Sequence, residues 1–107
     1  MTATLPQSLR RVMERYIRAF SPQQIVMFGS YAKGTNHTGS DVDLLIIADV
    51  GENTDASIRR AHQLAADCYP PVDVVFATPA EVADTLQTQD YFLESILATG
   101  VTVYSKI

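Results

Sequence analysis

Two aspartates separated by a single residue, Asp41 and Asp43, stand between a small, polar loop and the apolar run Leu44-Leu45-Ile46-Ile47. This arrangement restricts the local fold more than any other stretch of the chain. On an extended strand, side chains alternate between faces, so both carboxylates leave one face while Val42 enters a core. Asp43 to Ile47 therefore reads as a buried strand that carries charge at its start. A second apolar run, Ile25-Val26-Met27-Phe28, lies upstream and reads as another buried strand. Gly29 follows it directly and permits a backbone turn that a side chain would disfavour. Ser30 then falls at a helix start, where free amide hydrogens and a hydroxyl face the same space, an arrangement that seats phosphate. Two carboxylates held side by side repel unless a cation lies between them. Oxygen-only ligands of this hard type suit magnesium better than zinc.

The remaining elements follow from periodicity and punctuation. From Leu5 to Phe20, apolar residues recur at three- and four-residue steps (Leu5, Leu9, Val12, Met13, Tyr16, Ile17, Phe20), which predicts an amphipathic helix. Its polar faces carry Arg10, Arg11, Arg15 and Arg18, with Glu14 one turn before Arg18. Those arginines form a solvated face, or else Arg11, Arg15 and Arg18, stacked along one stripe, contact an acidic partner or the acceptor substrate. Ser21-Pro22 ends this helix. Ala56, Ile58, Ala61, Leu64, Ala65 and Cys68 mark a second amphipathic helix opened by Thr54 or Asp55 and stopped by Tyr69-Pro70-Pro71. Val72 to Phe76 is a third strand. Thr78-Pro79-Ala80-Glu81 is a capping box that starts a short helix with Val82 and Leu86. Asp90 caps a last helix with Phe92, Leu93, Ile96 and Leu97 inward and Gly100 at its end. Val101 to Tyr104 alternates as a final edge strand. Helices alternating with three or four strands predict an α/β fold, a small mixed β-sheet with helices packed on it, as one domain over residues 1–107.

Bulk properties narrow the function. A chain of 107 residues is long enough for one core and leaves little for a second. The net charge of −4 argues against broad attraction to nucleic acid and favours a basic partner. Cys68 stands alone, so no intrachain disulfide or thiolate cluster forms, and as an apolar-face residue it reads as inert core. No run approaches the ~20 apolar residues of a membrane span, and no leader pattern opens the chain, so a cytoplasmic location is expected. His37, in the loop before the aspartates, reads as solvent-facing with the base or acceptor as its alternative contact, and His62 reads as a helix-surface residue.

Asp73 raises the argument above a local pattern. A charge within the strand Val72 to Phe76 costs several kcal/mol if buried alone, on the order of 2–7 for a polar group and more for a charge, so it needs a cation or a place at the strand end. If its strand pairs beside the strand of Asp43, three carboxylates converge, enough for two metal ions.

Gly29-Ser30, ten intervening residues, Asp41-Val42-Asp43 and a later lone aspartate at Asp73 resemble the signature of the DNA polymerase beta superfamily of nucleotidyltransferases, and the short chain is most similar to its minimal nucleotidyltransferase branch. The resemblance implies that Asp41 and Asp43 hold two Mg2+ ions and that Asp73 joins them at the catalytic one, where it also accepts the hydroxyl proton. It implies that Gly29 and Ser30 hold the β- and γ-phosphates of ATP and that Ser40 offers an amide to them. Lys33 stands where relatives often carry arginine, keeping the charge and losing the two-pronged geometry. It further implies an antitoxin role: AMP transfer from ATP to a hydroxyl, a tyrosine by expectation, of a HEPN-domain ribonuclease toxin, because the chain carries no acceptor-binding helices of its own. Two other readings remain open, a non-catalytic module that inhibits its partner by contact and a transferase acting on small molecules at a homodimer interface.

Overall fold

The computed structural model describes residues 7–35, 41–51, 54–85 and 91–106. Its elements run α1 (Gln7–Phe20), β1 (Gln24–Phe28), α2 (Ser30–Lys33), β2 (Val42–Ile47), α3 (Thr54–Leu64), β3 (Val72–Ala77), α4 (Pro79–Ala83), α5 (Tyr91–Thr99) and β4 (Val101–Ser105). The four strands form one sheet in the order β3-β2-β1-β4. β1 pairs antiparallel with β2 and with β4, whereas β2 pairs parallel with β3, so the sheet is mixed, as expected. A parallel pair needs a crossover, and α3 lies in that connection.

Each sheet face has its own core. Leu9, Val12, Met13 and Tyr16 of α1 and Ala61 of α3 pack against Ile25, Met27, Val42, Leu44, Ile46, Val72 and Val74. On the opposite face, Leu93 and Ile96 of α5 pack against Val26, Leu45, Ile47 and Ala77. The two sets alternate along each strand, which is why β2 is apolar throughout after Asp43. Full burial of each such Leu or Ile contributes about 1.5–3 kcal/mol. Burial pushes the phenol of Tyr16 above its ordinary pKa, and its hydroxyl donates to the carbonyl of Ala61, 2.9 Å away, tying α1 to α3.

Several local expectations hold in detail. The side chain of Thr78 accepts from the amide of Glu81 while the Glu81 carboxylate accepts from the amide of Thr78, completing the capping box. β4 is an edge strand. Other expectations need correction. α3 ends at Leu64, so Cys68 lies beyond the helix, half-buried against the first core. Arg15 belongs to no free stripe, because its guanidinium donates to the Leu64 carbonyl and to both oxygens of Asp67. Among the described residues no ion pair joins Glu14 to Arg18. Phe92 does not point inward and is 58% exposed. Leu5, Leu86 and the cap at Asp90 lie outside the described residues.

Candidate active site

The site grows out of the β1–α2 junction. Gly29 ends β1 with φ +75° and ψ −153°, a conformation that favours glycine, and its turn sets Ser30 at the start of α2. The single turn of α2 closes at Gly34, also at positive φ, whose amide donates back to the Tyr31 carbonyl while the amide of Thr35 donates to the carbonyl of Ser30. This short turn places Lys33, exposed, in its last position. Tyr31 packs partly buried against the first core.

The carboxylates come from the sheet. Val42 is fully buried in the first core, so its neighbour Asp43 leaves by the opposite face. The parallel ladder sets Asp43 directly beside Asp73, and the antiparallel ladder sets it across from Phe28. Asp41 immediately precedes β2 and is exposed, as is Asp73, while Asp43 is half-buried. Burial first, then the charges of Asp73 and Asp41, push the Asp43 carboxyl above its ordinary pKa. All three carboxylates thus share one electrostatic neighbourhood. Beside them, Gly29 is held so close that a Cβ there would overlap Asp43 Oδ2. On the Gly29 side, backbone and not side chain borders the central carboxylate.

The side chains have the chemistry for a hard divalent cation: oxygen donors only and like-charged, with Asp43 beside Asp73 on one sheet face and Asp41 just before β2. They are not already drawn into a cage, since among the described residues no three His, Cys, Asp or Glu side chains stand close enough together to hold a metal ion. The carboxylate row and the glycine cradle fit a phosphate-bearing ligand accompanied by Mg2+. Ser40 and His37 lie outside the described residues, and His62 is exposed on α3. Sequence reasoning missed that Phe92 lies exposed against Phe28. Phe28 was readable only as strand core and Phe92 only as helix core, because apolar periodicity does not separate an aromatic that is buried from one that is displayed.

No helix among the described residues is long and apolar enough to cross a membrane.

The family model for the nucleotidyltransferase domain matches residues 9–101. Among solved structures, one described as a nucleotidyltransferase candidate from Sulfolobus solfataricus superposes with a TM-score of 0.66 at 16% identity, covering 94% of this chain and 79% of its own. Another, a toxin-antitoxin with AMP-PNP, superposes with a TM-score of 0.60 at 20% identity, covering 94% of this chain and 75% of its own. At such identities these likenesses speak for the fold. No curated protein matches significantly.

Proposed function

This chain belongs to the nucleotidyltransferase domain family, and on that premise we propose that it moves AMP from ATP to a tyrosine hydroxyl of a partner protein, a HEPN ribonuclease toxin that the transfer silences. The observation that carries the reading is the row Asp43–Asp73 beside the Cβ-free wall of Gly29. Support for a protein partner comes from the fold shared with a toxin-antitoxin crystallised with AMP-PNP.

In this reading, Gly29 and the hydroxyl of Ser30 hold the β- and γ-phosphates, and Lys33 and the amide of Ser40 add positive charge and a donor to the same seat. Asp41, Asp43 and Asp73 would hold two Mg2+ ions, which would supply charge neutralisation for the triphosphate and a lowered pKa for the attacking hydroxyl. Asp43 stands between the two other carboxylates and orients both sides of the site. The acceptor oxygen bonds to the α-phosphorus, the bond from that phosphorus to pyrophosphate breaks, and the hydroxyl proton passes to the carboxylate of Asp73. Gly29 keeps the approach to Asp43 open, since any side chain there would occupy the space of its Oδ2.

The test is transfer of label from α-labelled ATP, with Mg2+, to the protein encoded by the adjacent gene. Transfer by the natural chain and none by the Asp41→Asn, Asp43→Asn double variant is expected. Equal transfer by both, or none by either, removes the proposal. Inhibition of the partner that persists without ATP and survives loss of Asp43 establishes instead a module that acts by contact.

A further inference from the structure

Phe28, Asp43 and Asp73 form one row across three adjacent strands, all on the face that α5 covers. At one end of this row, Phe92 from the first turn of α5 meets Phe28 edge to face, with ring centroids 6.0 Å apart and planes at 85°. The contact fixes Phe92 without covering it, for the ring is 58% exposed, and its neighbour Tyr91 is 72% exposed. Exposed aromatic rings beside a polar site forgo the gain of burial and are suited to contact a ligand.

We propose that Phe92 is the platform on which the nucleobase of the donor nucleotide stacks. The inference rests on the reading above, that the chain uses a nucleoside triphosphate. Three observations carry it. Phe28 directly precedes Gly29, so the aromatic pair is joined to the phosphate seat. Asp73 ends the row on the other side, and since the reading above gives it the acceptor's proton, the Phe28–Phe92 side is left to the donor. The edge-to-face contact orients the Phe92 ring before any ligand binds, so stacking costs little side-chain freedom. Every base has a π-face, and neither phenylalanine has a polar atom to read a base edge, so this platform grips the base without choosing it.

Titration calorimetry of the whole chain with Mg2+, using ATP and inorganic tripolyphosphate as separate probes, tests the assignment. Phe92→Ala and Phe92→Leu should each weaken ATP by about 5- to 100-fold, the loss of one stacked base, and leave tripolyphosphate unchanged. GTP and CTP should weaken in parallel, and Phe92→Trp should restore ATP affinity. Circular dichroism melts confirm folding, and because the Leu variant keeps an apolar contact with Phe28 it decides the matter if the Ala variant unfolds. ATP binding that neither variant disturbs overturns the platform and leaves the transferase reading standing. Unchanged ATP binding together with weakened partner binding assigns the ring to a protein contact and likewise overturns it. Equal weakening of ATP and tripolyphosphate also overturns it, since the ring then acts on the seat. A natural chain that binds neither probe overturns both this inference and the proposed activity.

Discussion

Gly29 and Asp43 compete for one space: a Cβ added to the glycine would overlap Oδ2 of the aspartate and lie 3.2 Å from its Cγ. The tightness of the β1–α2 turn and the position of the central carboxylate are therefore one structural fact.

Two glycine substitutions differ in what an added methyl meets. Gly34, at φ +73° and ψ 16°, is in the left-handed helical region with nothing within 4 Å of a Cβ, so Gly34→Ala costs about 1–2 kcal/mol for its backbone alone. Gly29, at φ +75° and ψ −153°, holds a conformation essentially reserved for glycine. Gly29→Ala must both leave that conformation and displace Asp43. We expect Gly34→Ala to lower the melting temperature and keep nucleotide transfer, and Gly29→Ala to abolish transfer. Melting curves and label transfer on the two variants check this, and equal activity would remove Gly29 from the site.

The second prediction concerns the charge at the centre of the row. Burial and the like charges of Asp73 and Asp41 disfavour ionised Asp43. Asp43→Asn removes the repulsion with little change of shape. In EDTA at neutral pH this variant should melt above the natural chain. Adding Mg2+ should raise the melting temperature of the natural chain, by preferential binding to the folded state, and leave the variant nearly unmoved. Identical responses to Mg2+ would sink the assignment of Asp43 as a ligand.

Acid sensitivity should have a different source. The Arg15 guanidinium, by its hydrogen bonds first and its charge second, holds the Asp67 carboxyl below its ordinary pKa. A carboxylate depressed on folding contributes stability above its unfolded pKa and loses it as pH falls through the lower folded value. The natural chain should exceed Asp67→Asn in urea midpoint at neutral pH, the two should converge in acid, and salt should narrow the gap, because the pair is largely exposed. A gap that is constant from neutral pH into acid would exclude the ion pair as its cause.

Gly100 makes a prediction about packing alone. Its Cβ would come within 2.6 Å of both the Ile96 carbonyl and Val26 Cγ1, and within 3.0 Å of the Met27 carbonyl. Gly100→Ala should destabilise by about 1–3 kcal/mol through overpacking of the α5–β1 contact. Urea unfolding measures it, and an unchanged midpoint would show that β4 moves aside freely.

Much of this architecture could be read from the chain because its periodicities are unmixed. The alternating faces of β2 and β3, the apolar stripe of α1 and the reciprocal cap of Thr78 and Glu81 are each fixed by neighbours in sequence. What escaped was decided by distant partners. Gly100 stands just past the end of α5, as its sequence position suggests, but its lack of a side chain answers also to Val26 on another strand. Arg15 looked like one of several surface cations until Asp67 and the end of α3 came beside it. The same holds at the site: the local sequence suggests the Asp41 and Asp43 pair, but only the parallel register sets Asp73 next to Asp43.

That register also guards against error. Side chains in β3 alternate, with Val72 and Val74 turned to the face under α1 and α3 and Asp73 to the other. A slip by one residue would drive the Asp73 charge into the apolar layer and turn the valines out, a loss of several kcal/mol, on the order of 2–7 for the polar group alone. A molecule with its carboxylates misaligned by one residue is thus strongly destabilised. The apolar interior acts as a proofreader for the chemistry, rejecting the wrong alignment before any nucleotide arrives.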